Sequence, residues 1–254
     1  MLDLMKFESI QATEYAPVLT KKYAFIPTMK VVNLFQDMGW FPDKASQVKA
    51  RKEETTGFQK HLIRFRREHF EMIPGNIIPE IVLTNAHDGA ASFKIMAGLF
   101  RIVCSNGLIV ADSLFANHII KHMGFAEEAV KLAIDDVVDS IPRISGRIDD
   151  FRAIEMTPDD RGVFGAAALQ VKYGEKATEF NVAKFMQPKR KVDELPTLWN
   201  AFNIAQEHLT KGGRFKTDSL GRKAKEVKSI GEDVRINRAL WQITEHFATL
   251  KLAA

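Results

Sequence analysis

The sequence has almost no cysteine and no long apolar run. Its 254 residues include one cysteine, Cys104, so an internal disulfide and a cysteine-based zinc site are both excluded. No stretch approaches the roughly 18 apolar residues that a membrane-spanning helix needs. The first residues also lack the basic and apolar regions of a secretory signal. These absences predict a cytoplasmic protein without a membrane partner.

The common catalytic motifs are missing as well. The chain contains no G-x-x-x-x-G-K-[ST], no G-x-G-x-x-G and no G-x-S-x-G, which argues against a P-loop ATPase, a dinucleotide enzyme and an α/β-hydrolase. We therefore predict no cofactor and no resident metal. Whether the protein is an enzyme stays open at this point.

Positive charge is present in clusters. Residues 211–228 hold seven basic and two acidic side chains, which is a net charge of +5. A second basic set lies within residues 49–67 and a third at residues 189–191. Such clusters are typical of proteins that bind polyanions, although any one of them could instead be a solvated face or a mobile loop.

Apolar patterning predicts strands in the first half of the chain. Residues 58–67 alternate like a strand, residues 77–85 form another, and His87-Asp88-Gly89 is a hairpin turn to a strand at 92–96. A short strand at 23–27 precedes a helix that is capped by Thr28 and ended by Gly39. Residues 99–110 fit strand or helix, with a turn at Asn106-Gly107, and 113–122 fit a further strand.

Apolar stripes predict helices in the second half. They cover residues 130–141, 146–154, 198–209 and 236–250, and Thr157-Pro158 is a further helix start. The segregation of strands and helices predicts an α+β fold. An N-terminal antiparallel sheet with a helix packed on it spans residues 1–125. A mainly helical region, packed on the first part, spans residues 126–254 and contains the basic segment 211–228.

Several side chains could carry other chemistry. His118 and His122 have metal-ligand spacing, but they fit two ordinary polar residues better. His87 and Asp88 could form a general-base pair, but a hydrogen-bonded turn is the stronger interpretation. Asp159, Glu226 and Lys228 are similar to a metal-dependent nuclease core. Cys104 follows apolar residues, which indicates a buried thiol.

Stretches along most of the chain resemble one phage and plasmid protein family, domain of unknown function number 932. The resemblance extends from residue 23 to residue 245 and implies a mobile-element origin in a bacterial host cell, but no particular activity. It lies in the following stretches: Tyr23-Ala24-Phe25-Ile26-Pro27-Thr28, Lys60-His61-Leu62-Ile63-Arg64-Phe65-Arg66, Asn85-Ala86-His87-Asp88-Gly89, residues 97–108, Leu198-Trp199-Asn200, Gly212-Gly213 and Asn237-Arg238-Ala239-Leu240-Trp241.

A second, shorter resemblance covers about residues 23–97. The order of Pro-Thr, helix, Gly39-Trp40, basic strand and hairpin is similar to single-strand annealing proteins, including phage recombinases. That resemblance implies a ring or filament of identical subunits with single-stranded DNA in a basic groove and no nucleotide hydrolysis.

The leading hypothesis is therefore a homo-oligomeric, phage- or plasmid-type protein that binds single-stranded DNA and anneals strands in recombination. The alternatives are a metal-dependent nuclease and a host-interaction or counter-defence protein. We predict that lysines and arginines distant in the chain form one continuous positive surface, with Trp40 as a surface residue that stacks on bases. The predicted phosphate contacts are Lys60, Arg64, Arg66, Arg214, Lys216, Arg222, Lys223 and Lys225.

Overall fold

The chain folds into two compact units, Met1–Ile141 and Pro142–Ala254. The sheet lies in unit 1, and unit 2 is mainly helical. This confirms the predicted α+β fold with its N-terminal antiparallel sheet and helical second half. The predicted domain boundary between residues 125 and 126 stays a prediction. The computed structural model describes residues 2–50, 52–68, 72–73, 76–102, 106–109, 117–120, 127–217 and 222–253.

Four strands form the main part of an antiparallel sheet in unit 1. They follow one another in space in the same order as in the sequence. The first strand pairs with the second through an irregularity between Pro42 and Lys44. These strands are β1 (Phe41–Gln47), β2 (His61–Arg66), β3 (Ile77–Asn85) and β4 (Phe93–Arg101).

Two short strands complete the sheet. β5 (Asn106–Ile109) pairs with the last four residues of β4, and β6 (Asn117–Ile120) pairs with residues 93–96 of β4. Because β3 occupies the other edge of β4, β5 and β6 share one edge. The turn predicted at Asn106-Gly107 is wrong, since both residues pair within β5.

One face of the sheet packs against a helix. α1 (Glu8–Gln11) is short, and α2 (Thr28–Asp37) packs with the ring of Phe35 stacked on Phe65 of β2, 4.2 Å between centroids. Two predictions near its start are wrong. Residues 23–27 have no strand, and Pro27 rather than Thr28 occupies the cap position. Thr28 is the first helical residue, and its side chain is buried.

Unit 2 consists of packed helices. The ring of Trp241 contacts Phe151 and Phe202 edge-on, at 5.3 and 5.8 Å between centroids. These contacts join three helices around one aromatic core. The helices are α3 (Glu127–Ala153), which crosses from unit 1, α4 (Pro158–Tyr173), the short α5 (Val182–Phe185), α6 (Leu198–Lys211) and α7 (Ile230–Ala253).

Two features of these helices bear on the sequence predictions. The helix start at Thr157-Pro158 is confirmed, because the Thr157 hydroxyl and the Asp160 carboxylate form a reciprocal capping box. The two helices predicted at 130–141 and 146–154 are instead one continuous helix, α3, with Pro142 inside. Pro142 supplies no amide to the helix, and nearby the Ser140 hydroxyl donates to the Val137 carbonyl at 2.6 Å.

Candidate functional site

The basic segment, residues 211–228, begins at the last residue of α6 and turns away from the helix at Gly212; the structure describes its residues 211–217 and 222–228. Gly212 has φ 74° and ψ −174°, a conformation that side chains disfavour. A Cβ atom there would lie 2.1 Å from the Ala224 carbonyl oxygen. Only glycine fits at this position. The turn brings the first arm of the segment against Ala224 on the second arm within one residue of the helix end.

Backbone hydrogen bonds hold the segment against unit 2. Gly213 and Ala224 exchange amide–carbonyl bonds of 3.2 and 2.7 Å. The Val227 amide donates to the Thr210 carbonyl at 2.8 Å, and the Asn181 amide donates to the Phe215 carbonyl at 2.8 Å. Both described arms of the segment are therefore hydrogen-bonded to other parts of unit 2.

Phe215 anchors the segment in an aromatic cluster. The side chain is 1% exposed, and its ring lies 5.1 Å from Phe185, 5.3 Å from His208 and 5.8 Å from Phe180. Its neighbours Arg214 and Lys216 are exposed and half-buried. The buried ring thus fixes one arm, and the basic side chains flank it.

The cations of this segment remain accessible. Arg214, Lys223, Lys225 and Lys228 are exposed, and within the described part of the chain the structure records no carboxylate partner for these four. Arg222 is also exposed, while Lys216 lies 5.5 Å from the Phe180 ring. Four unneutralised charges on an ordered surface can attract a polyanion.

The Lys172 ammonium reinforces this arrangement from α4. It donates to the Leu209 carbonyl at 2.6 Å and to the Lys225 carbonyl at 2.9 Å. Burial lowers the pKa of Lys172 from its ordinary value. The side chain thus bridges the end of α6 and the second arm of the segment.

The two predicted arginines of β2 have carboxylate partners. Arg64 is buried and pairs with Glu80 at 2.8 Å. Arg66 pairs with Glu80 at 2.7 Å and Asp43 at 3.0 Å, and its guanidinium lies 3.8 Å from the Phe100 ring centroid. Their charges serve a salt-bridge network in unit 1, so these contacts lend no support to a phosphate role for either residue.

Lys60 remains a candidate in unit 1. Its side chain is half-buried, and burial, followed by the nearby charge of Lys94, lowers its pKa. Among the residues that the structure describes, neither Lys60 nor Lys94 has a carboxylate partner, so both charges are available to an anion. Lys60 and the basic segment belong to different units, and the continuous positive surface stays a prediction.

The surface position predicted for Trp40 is wrong. Its side chain is 0% exposed, because the chain reverses at Gly39, with φ 80°. The Trp40 amide then donates back to the Phe35 carbonyl at 2.8 Å, and the Arg67 guanidinium lies 5.1 Å from the indole ring centroid. A buried indole cannot stack on a nucleobase.

The third basic set is partly neutralised. Arg190 forms a two-pronged ion pair with Glu207, and Lys189 lies 3.7 Å from the same carboxylate. Burial alone would raise the pKa of Glu207. The hydrogen bond from Arg190 and the charges of Lys189 and Arg190 outweigh burial, so the pKa lies below its ordinary value. Lys191 is exposed.

The residues proposed for a nuclease core show no metal geometry. Asp159 is exposed in the first turn of α4, and Glu226 pairs with Lys211 at 3.1 Å. Within the described stretches, no three His, Cys, Asp or Glu side chains come together as a metal site. The side chains of Cys104, His118 and His122 lie outside the described residues. Asp88 accepts from the Ala90 amide at 2.9 Å, as the predicted turn requires.

Sequence reasoning missed a buried polar cluster in unit 1. The Thr28 hydroxyl lies 2.8 Å from His61 Nε2, 3.1 Å from His87 Nε2 and 3.1 Å from the Asn85 amide nitrogen. All four residues are buried. The signal was available, because these residues lie in three of the stretches that carry the longer family resemblance.

The fold and the site define an α+β protein with an ordered, positively charged segment on its helical unit. The chain belongs to the family described as Domain of unknown function (DUF932), whose profile matches residues 17–241. This confirms the longer resemblance. The phage and plasmid association and the similarity to annealing proteins stay predictions.

Two curated relatives come from Escherichia coli (strain K12), UPF0380 protein YafZ and UPF0380 protein YfjQ. Each is 32% identical over 232 residues, which is 91% of this chain and 84% of the relative. No solved structure matches the chain. Across the residues that the structure describes, no helix has the length and apolar character to cross a membrane.

Proposed function

We propose that this protein binds single-stranded DNA through its basic segment, acts in strand annealing during recombination, and works as a homo-oligomeric ring or filament in the cytoplasm of a bacterial host. The observation that carries the proposal is the pair of backbone-paired arms of the basic segment, residues 211–217 and 222–228, with their accessible cations. The anchor of the first arm is Phe215, which is 1% exposed.

A phosphate backbone is the partner that this charge pattern fits best. Arg214 lies on one arm of the segment and Lys223 and Lys225 on the other, and the Gly213–Ala224 pairing brings the arms together. Each cation that contacts a phosphate releases condensed counter-ions, so affinity falls as salt rises. An ordered platform also loses less conformational entropy on binding than a mobile loop.

The preference for single strands and the annealing activity are supported by the similarity of residues 23–97 to annealing proteins. Annealing needs no nucleotide hydrolysis, and the chain has no P-loop motif. Lys60 and Lys94 would be a second contact point for the strand. Arg64, Arg66 and Trp40 take no part in this proposal, because their side chains are paired or buried.

The test measures binding to a labelled single-stranded oligonucleotide over a range of salt concentrations. We expect the double variant Arg214→Gln/Lys223→Gln to lower the affinity and to reduce the slope of log K against log salt by about 1.4, since each lost contact contributes about 0.7. Lys21→Gln is the control, because it removes one exposed charge from unit 1. Binding that is indifferent to salt, or equal in the double variant, contradicts the proposal.

The same preparation separates the alternatives. Faster pairing of complementary labelled strands supports annealing, and equal affinity for duplex DNA contradicts the single-strand preference. Cleavage that needs Mg²⁺ or Mn²⁺ and disappears in Asp159→Ala or Glu226→Ala indicates the nuclease instead. A host protein that co-purifies after nuclease treatment, without any DNA binding, indicates the host-interaction alternative.

A further inference from the structure

Unit 2 contains an apolar groove apart from the basic segment. The groove has a volume of about 600 Å³ and is lined by two stretches, residues 156–162 together with Pro196, and residues 182–188. The lining side chains are mainly Met, Pro, Val and Ala, with Arg161 and Gln187 as the polar members. The Arg161 guanidinium donates to the Met186 carbonyl at 2.9 Å, which connects the two stretches.

Two exposed apolar residues are sequence neighbours of the groove lining. Val163 follows the lining residue Gly162, and Leu195 precedes the lining residue Pro196; they are 65% and 66% exposed. A groove and an exposed apolar rim together are typical of protein–protein interfaces.

The end of α7 lies beside the first turn of α4. Leu250 and Leu252 are exposed in its last turns, and between them Lys251 pairs with Asp160 in the first turn of α4 at 2.6 Å. That first turn also supplies Pro158 and Arg161 to the groove lining. One copy of the chain therefore offers both a groove and projecting apolar side chains that could fill one.

The charges beside the groove have opposite signs on its two lining stretches. Glu155 and Asp159 flank residues 156–158, while Lys184 follows Ala183 and Lys191 lies just beyond Pro188. All four side chains are exposed, and the structure records no ion pair for them within its described stretches. A polyanion would be repelled by the acidic stretch. A second copy related by a two-fold axis would instead set acidic against basic stretches twice.

We propose that this groove is the interface between two copies of the chain, with apolar rim side chains of each copy entering the groove of the other. This inference rests on the homo-oligomer part of the proposed function and names the surface of a dimer; because a two-fold interface closes on itself, a ring or filament of such dimers needs a second interface. The basic segment is not part of the lining and stays available to DNA.

The first test fills the groove at Gly162. A Cβ atom at this helical position meets nothing within 4 Å, so a larger side chain enters open space without a clash. We expect Gly162→Phe to raise the dissociation constant for self-association at least about tenfold, as loss of an interface hot spot does. Gly162→Ala is the matched control, because it also replaces the helical glycine but leaves most of the groove open.

The second test exchanges the charges. We expect Glu155→Lys and Lys184→Glu each to weaken self-association, because each sets like charges against each other across the two-fold interface. The double variant should restore self-association, since the residue at 155 of one copy then again faces the opposite charge at 184 of the other. Sedimentation equilibrium without DNA measures all of these variants, and circular dichroism checks that each remains folded.

The outcomes separate this inference from the DNA-binding proposal. A wild-type chain that stays monomeric, or self-association that Gly162→Phe leaves unchanged, overturns the groove interface, whatever the salt dependence of DNA binding shows. If Gly162→Phe weakens DNA binding but not self-association, the groove binds a nucleobase and the interface is overturned. Groove-dependent self-association without DNA binding supports this inference and contradicts the other proposal.

Discussion

The Thr28 hydroxyl joins two buried histidines of unit 1 in one hydrogen-bond network. His61 Nδ1 lies 3.1 Å from the Gln59 carbonyl and must donate to it, so neutral His61 leaves Nε2 as an acceptor for the Thr28 proton. The hydroxyl oxygen then accepts from the Asn85 amide and from His87 Nε2–H. Every hydrogen-bonding position of this hydroxyl is used.

Removing this hydroxyl leaves several buried polar groups without a partner. Because each unsatisfied group costs about 1–3 kcal/mol, we expect Thr28→Val to lower the free energy of unfolding by about 3 kcal/mol or more. Thr28→Ser keeps the hydroxyl and loses one methyl group, so a cost of about 1 kcal/mol is expected. Urea denaturation measures both, and similar costs for the two variants would show that the hydroxyl network contributes little.

At the scale of elements, the basic segment depends on the glycine that follows α6. Gly212 combines a left-handed φ with an approach to Ala224 that leaves no room for a side chain. The resulting pairing connects two arms whose own sequences show no strand periodicity. The positions of the accessible cations therefore depend on the backbone turn at Gly212.

We expect Gly212→Ala to break the pairing between Gly213 and Ala224, at a cost of about 1–3 kcal/mol from backbone strain. The measurement is amide hydrogen exchange at residues 213 and 224, where protection should be lost. Gly146→Ala in α3 is the control, because its Cβ meets nothing within 4 Å and alanine favours a helix. Unchanged protection in Gly212→Ala would refute the role of this turn.

At the scale of the whole molecule, each unit holds a buried neutral imidazole. Burial lowers the pKa of His61 in unit 1 to about 4 and the pKa of His208 in unit 2 to about 4. His208 Nδ1 faces the Phe185 carbonyl under the aromatic cluster that anchors the basic segment. In the folded chain, both rings therefore stay neutral until the pH falls toward about 4.

These lowered pKa values predict instability in acid. Between the ordinary histidine value of 6.5 and about 4, the unfolded chain binds protons that the folded chain does not bind. The free energy of unfolding is therefore highest above pH 6.5 and decreases as the pH falls toward 4, by up to about 3 kcal/mol for each histidine. The urea midpoint should be lower near about pH 5 than near about pH 7. The difference between the two midpoints should be smaller in His61→Gln, which has lost one of the two titrating rings. Equal midpoints in the wild-type protein would contradict the prediction.

Local patterns were enough to predict most of the elements. The alternation over residues 58–67, which contain β2, and the apolar stripe of α6 match backbone periodicities, and Thr157-Pro158 marks a helix start. The prediction divided α3 into two helices, whereas the structure has one continuous helix across Pro142, a residue type that usually ends a helix. Residues 23–27 lack a strand, although their apolar character fits one, because a strand also needs a partner edge.

The sequence by itself determined the fold class, most element positions and the excess of positive charge in the basic segment, because periodicity and composition act within a few residues. Only the tertiary structure decided which charges remain accessible. On β3, Glu80 pairs with both Arg64 and Arg66 of β2, and Asp43 of β1 pairs with Arg66, while the turn at Gly212 holds Arg214 and Lys223 at the surface. Ion pairing and burial depend on contacts between residues that are far apart in the chain, and only the packing of the folded chain brings those residues together.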